Sequence, residues 1–260
     1  MTTELKELTR RDDIPAAEWQ ARVDLAAAYR LVDLFGWSDL LGTHISARIP
    51  GPEDHFLINP YGMLFEEITA SSLVKIDLHG NILNETDYDI NPAGFTIHSA
   101  VHMAKPEIKC VIHIHTYAGT AVACQKDGLL PISQHALVIM ADVAYHDYEG
   151  IATDLDERTR IVHDLGDKRI LILRNHGLLT VGRTMGEAFI LMYRAERACR
   201  MQVQFQMTGA ELKPIPEEVQ QITMERSRLA TSDDGHRPMG KLEWPALLRK
   251  LDRHDPSYKT

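Results

Sequence analysis

Apolar residues recur at helical spacing soon after Pro15, where Trp19, Val23, Ala26, Ala27, Leu31 and Leu34 share one face and Gly36 supplies a stop. The pattern then changes to alternation. THISARI (43–49) and HFLIN (55–59) read as strands separated by the turn-rich PGPED, and NPYGMLFEE (59–67) is irregular. TASSLVKIDLHGNIL predicts a helical turn followed by a hairpin closed at His79-Gly80-Asn81. Asn91-Pro92 opens a helix, AGFTIHSAVHMA, that must end before Pro106.

The second half alternates more regularly. KCVIHIH predicts a strand, TYAGTAVACQ a helix, VAYHDY a strand, DERTRIVHDLG a helix ending at Gly166, and RILILRN and GLLTVG two more strands. A long helix, TMGEAFILMYRAERACRMQVQF, follows with Thr184 as its cap. Interleaved helices and strands predict an α/β chain with three layers around a mixed sheet. Residues 1–14 are polar and expected to be flexible, residues 15–209 form the domain, and residues 210–260, rich in proline and mixed charge, form a C-terminal extension with helical character.

Composition narrows the function. The 260 residues carry a formal net charge of −9 and a pI near 5.8, which argues against a nucleic-acid or anionic-membrane partner. Cys110, Cys124 and Cys199 are scattered, so they read as reduced thiols. The first residues lack the apolar core of a signal peptide, and no stretch approaches 18 apolar residues, so the expected location is cytoplasmic.

Thirteen histidines are the unusual feature, and most are discounted: His79, His163, His236 and His254 lie in turn-like or charged contexts and are expected to be exposed. His98 and His102 stand four apart on one helix, but HSAVH offers only two ligands and reads as a structural or supporting pair. His113 and His115 differ, because residues two apart on a strand share a face. Two imidazoles in CVIHIH need partners for four nitrogens in an apolar setting, and a divalent cation would satisfy two of them. His176, in ILILRNHGLLTVG, ends a buried strand beside Gly177, which permits a tight turn, and is the candidate third ligand. Spacing alone leaves two readings open, a three-histidine metal site or satisfied core histidines.

The run NPAGFTIHSAVHMAKPEIKCVIHIHTYAGTAV, followed some sixty residues later by ILILRNHGLLTVG and a long helix, resembles the class II aldolase/adducin family over roughly residues 20–205. The resemblance implies a three-layer α/β/α fold and a divalent metal held by His113, His115 and His176, zinc first and iron(II) or manganese as alternatives. It also implies a homo-oligomer, commonly a tetramer, with the cleft at a subunit interface.

The sequence departs from the family's sugar-phosphate aldolases at their general base. Their glutamate aligns with Gly94, and the serines that cradle the substrate phosphate align with Pro92 and Ala93. The first phosphate loop is matched by Thr43 and His44, the second by NPYG (59–62). Adducin domains share glycine in the glutamate position. By the resemblance, proton handling falls to His44, Tyr61 or His135, and the substrate meets Asn59, Gly94, Gln134 and Tyr148.

The reading is a metal-dependent lyase performing aldol-type cleavage or decarboxylation on a small, non-phosphorylated carbonyl or carboxylate substrate. Two alternatives from other classes stand beside it. One is a non-haem Fe(II) oxygenase acting on an aromatic 2-oxo or hydroxy acid at the same three histidines. The other is a non-catalytic, adducin-like scaffold.

Overall fold

Side-chain alternation along the strands sorts the chain into layers. In the computed structural model, which describes residues 14–51, 54–151 and 154–260, seven strands form one sheet in the order β3-β2-β1-β4-β7-β6-β5. They are β1 (His44–Arg48), β2 (His55–Ile58), β3 (Val74–Asp77), β4 (Cys110–Ile114), β5 (Val143–His146), β6 (Ile170–Leu173) and β7 (Gly177–Gly182). Only β5 and β6 run parallel, so the sheet is mixed. The expected flexible segment 1–14 lies outside the described residues except for Ile14.

Ile112 and Ile114 of β4, Ile170 and Ile172 of β6 and Leu178 of β7 point into one core. That core is closed by α1 (Ala16–Leu34), α3 (Tyr117–Ala123), α4 (Gln134–Met140) and α6 (Met185–Met207). The residues between them, Val111, Leu171, Leu173, Leu179 and Val181, point to the other side and meet α2 (Pro92–Ala104) and α5 (Glu157–Leu165). Each Leu or Ile fully buried in these layers is stabilising by about 1.5–3 kcal/mol relative to exposure.

Most boundaries follow from local chemistry. The Asn91 side chain accepts from the Ala93 N–H at the start of α2, and Thr184 accepts from the Glu187 N–H at the start of α6. Gly36 and Gly166 take positive φ (69° and 53°) just past α1 and α5. The sequence pattern did not reveal α4. The C-terminal residues form α7 (Glu217–Thr231), packed on α4, and α8 (Glu243–His254), packed on α6 and α1. The indole N–H of Trp244 on α8 donates to Asp24 on α1, and the Tyr258 carbonyl accepts from the Ala70 N–H. Among the described residues, no helix is long and apolar enough to cross a membrane.

Candidate metal centre

Three chain segments meet where β4 ends. β1 and β7 flank β4, so His44 stands opposite His113 across one ladder and Leu178 stands opposite Ile114 across the other. His115 lies one residue beyond β4, still on the His113 side by the strand's alternation. His176 is delivered by the turn between β6 and β7. The left-handed residue of that turn is Asn175 (φ 56°), a residue type that tolerates this region. Gly177 serves a different purpose from the turn expected of it. A Cβ there would stand 2.6 Å from the Ile114 carbonyl oxygen and 2.9 Å from Cδ2 of His115, so only glycine lets β7 begin against the end of β4. The Thr120 hydroxyl of α3 donates to the His176 carbonyl at 3.0 Å and pins the turn.

The three imidazoles converge, with one ligand atom from each lying within 4.8 Å of the others. Ring centroids are 4.6–4.7 Å apart for all three pairs. His113 Nδ1 donates to the Leu178 carbonyl at 3.0 Å, and His115 Nδ1 donates to Asp39 Oδ2 at 3.0 Å. Both protons are thus committed to Nδ1, and two bare Nε2 lone pairs face each other at 2.8 Å. A proton shared between them requires an imidazolium. Burial, together with the neighbouring His176 and His44, holds the pKa of His113 well below 6.5. His176 is lowered to about 4, chiefly by burial and then by His115. A divalent cation resolves the opposed lone pairs without protonation, and the donor set, neutral imidazoles with their second nitrogens fixed on a carbonyl and a carboxylate, fits one. Asp39 and the Leu178 carbonyl carry no motif in the sequence. Each comes from a segment distant from its histidine.

Beside this centre lies a second histidine chain. His44 Nδ1 meets His98 Nε2 at 2.8 Å, His98 Nδ1 meets the Ser46 hydroxyl at 2.6 Å, and that hydroxyl meets His102 Nε2 at 2.8 Å. All four residues are buried. Burial depresses His44 and His98 well below the usual imidazole range and His102 to about 3. The His44 ring stands 5.0 Å from that of His113. It occupies the space before Gly94, where a Cβ would come within 2.7 Å of His44 Cδ2.

The other candidates divide. Tyr148 is exposed at the rim with its ring 6.5 Å from His176, and the two border the same small cavity. Asn59 belongs to the opposite side of the sheet. Its Oδ1 accepts from the Tyr29 hydroxyl at 2.8 Å, and the same hydroxyl accepts from its N–H, so it clasps α1 to the end of β2. The structure gives Asn59 a packing role and no face toward the histidines. Tyr61 is exposed, held through its N–H to the Asp89 carbonyl. Gln134 and His135 open α4, capped by Ser133, and among the described residues neither makes a hydrogen bond or ring contact with the three histidines. His79, His163, His236 and His254 are all exposed, as their contexts predict.

Comparison with known proteins agrees with the fold. The model of the Class II Aldolase and Adducin N-terminal domain matches residues 23–203. The chain is similar to an aldolase II superfamily protein from Pseudomonas syringae, with 49% identity and a TM-score of 0.89, covering 96% of this chain and 99% of that one. It is also similar to the L-fuculose 1-phosphate aldolase from Glaciozyma antarctica PI12, with 28% identity, a TM-score of 0.80 and 94% of each chain covered. Alpha-adducin of Mus musculus is 44% identical over 264 residues, which span 97% of this chain but 36% of that protein.

Proposed function

Because the chain belongs to the class II aldolase and adducin N-terminal domain family, we propose that it is a metal-dependent lyase acting on a small, non-phosphorylated carbonyl or carboxylate compound. One observation carries the reading: the Nε2 atoms of His113 and His115 face each other with both Nδ1 protons already committed, and His176 completes the set. His113, His115 and His176 would hold the ion, zinc first, with iron(II) or manganese compatible with the same neutral ligands. Bound there, the ion supplies Lewis acidity toward a substrate carbonyl or carboxylate oxygen.

The chain's own groups do the rest. His44 has Nδ1 occupied by His98, so its Nε2 is the atom that can take or return a substrate proton. Tyr148 borders the approach to His176, where it would meet the substrate. A phosphate finds little to hold it. Pro92 has no N–H, and the Ala93 N–H is already used by the Asn91 cap. By family likeness the protein assembles as a homo-oligomer, expected to be a tetramer, and the exposed Leu40 and Tyr117 near the centre suit such burial.

A scaffold reading is favoured by one observation, the closure of His44 over Gly94 in a chain 44% identical to alpha-adducin. The test is a panel of 2-oxo and aromatic acids incubated with protein purified without added metal, with and without oxygen and EDTA, while products and bound metal are measured. Carbon–carbon cleavage that proceeds without oxygen and stops with EDTA is the expected result. Oxygen consumption coupled to product identifies the oxygenase instead, and metal without turnover identifies the scaffold.

A further inference from the structure

We infer that Asp39 is a positioning residue for the metal centre: its carboxylate fixes the His115 ring so that Nε2, not Nδ1, faces the ion. The inference rests on the metal-binding reading above. Asp39 Oδ2 lies 3.0 Å from His115 Nδ1, a contact spanning 76 residues of sequence. The two retained imidazole protons have unequal acceptors. That of His113 goes to Leu178 O inside the sheet, which no side-chain substitution removes, whereas that of His115 goes to a single side chain on a loop. His115 also stands beyond the last residue of β4, so the ladder does not hold it as it holds His113.

The loop is built to present that carboxylate. Trp37 is buried and stacks against Phe189 with ring centroids 6.0 Å apart, anchoring the segment in the core. The Ser38 hydroxyl donates to Asp33 at the end of α1 at 3.0 Å. Leu40, an exposed leucine, takes a left-handed φ of 46°, and the Gly42 N–H returns to the Asp39 carbonyl at 2.7 Å. A Cβ on Gly42 would lie 3.1 Å from Asp39 Oδ2, so glycine keeps the carboxylate's approach open. Leu40 takes this conformation inside the turn that the Gly42 N–H closes on the Asp39 carbonyl, beside the carboxylate that meets His115.

A carboxylate behind a ligand imidazole fixes the tautomer and raises ligand basicity, and its loss typically costs about 10–100-fold in metal affinity. The experiment uses the full chain and zinc, with competition against a chromophoric chelator as readout, alongside nitrogen-15 NMR of the histidine rings in chelator-treated protein. For Asp39→Ala we expect zinc affinity to fall about 10–100-fold, and the His115 ring to shift from the Nδ1–H toward the Nε2–H form. Asp39→Asn, whose amide oxygen can still accept the proton, should keep the tautomer and lose less affinity. Unchanged affinity and an unchanged His115 tautomer in Asp39→Ala overturn the inference, whatever happens to thermal stability. Wild-type protein that takes up no more zinc than His113→Ala overturns the metal reading as well, which separates the two failures.

Discussion

Two groups of histidines share one side of the sheet, and they solve the same problem in opposite ways. Along His44, His98, Ser46 and His102, donors and acceptors alternate: each ring offers one nitrogen to the next group, and the serine hydroxyl bridges the last two. Read in either direction, those three contacts need only neutral side chains. At His113 and His115 the alternation fails, because both inner protons go outward to Leu178 and Asp39 and two acceptors are left facing each other. The lesson is that proximity alone does not distinguish a ligand histidine from a packing one, since both groups hold rings with centroids 4.6–4.7 Å from a neighbour. The direction of the committed proton does. His98 and His102, with a spacing suited to chelation, use it to reach Ser46.

The largest expected effect tests that distinction directly. His113→Ala removes the central ligand and should weaken zinc binding on the order of a thousandfold, given how much of a metal site's free energy each ligand carries. His98→Ala should leave zinc affinity within about threefold while destabilising the fold by about 1–3 kcal/mol, since buried partners lose their hydrogen bonds. Metal analysis and urea unfolding of the two variants read the two effects separately. If His98→Ala also strips the metal, the two groups are one site and the contrast fails.

Much of this contrast was legible in the sequence, and the reasons are specific. The period of two in CVIHIH put His113 and His115 on one face, and the abrupt end of ILILRN placed His176 at a strand terminus; both are local properties of a chain in a sheet. The loop resemblance puts Asn59 beside His44, but its parity matches Leu57, which faces α1, whereas His44 faces α2. The alternation therefore separated them, although both flank the same end of the sheet. Spacing cannot tell a positive φ from a steric approach, so it offers Gly177 as a turn glycine; the structure gives the turn to Asn175 and the approach to Gly177. Asp39 was invisible for a plainer reason. A carboxylate in a loop 76 residues from its histidine has no periodicity to betray it.

Acid provides the second test. His176 titrates at about 4 in the folded chain against an ordinary 6.5, because burial and neighbouring imidazoles disfavour its charge. The unfolded chain therefore binds more protons than the folded one between those two values. Stability contributed by neutral His176 is fully present above pH 6.5 and is lost as pH falls toward 4, by about 3 kcal/mol for this residue. His102, lowered to about 3, extends the loss in the same direction. Urea midpoints measured from pH 7 to pH 4.5 should fall, and zinc should raise the midpoint at each pH in wild type but not in His113→Ala. A flat profile would mean that these imidazoles take up protons in the folded chain as readily as in the unfolded one, and the opposed lone pairs would no longer call for a cation.

The smallest effect probes the contact between the two groups. Gly94 is the point where α2 presses on His44, and a methyl group there would meet the ring at 2.7 Å. The ring has little room to retreat, since His113 lies behind it with centroids 5.0 Å apart and His98 holds its Nδ1. Gly94→Ala should therefore destabilise the protein by about 1–3 kcal/mol through overpacking. His44→Ala should cost a similar amount by leaving His98 without its partner. In the double variant the methyl enters the space left by the ring, so the combined loss should fall short of the sum by about 1 kcal/mol or more, as expected for residues in direct contact. Unfolding curves of the four proteins close that cycle. Strict additivity would show that the glycine is not there for the histidine, and that His44 reaches the metal centre for some reason other than the space α2 leaves it.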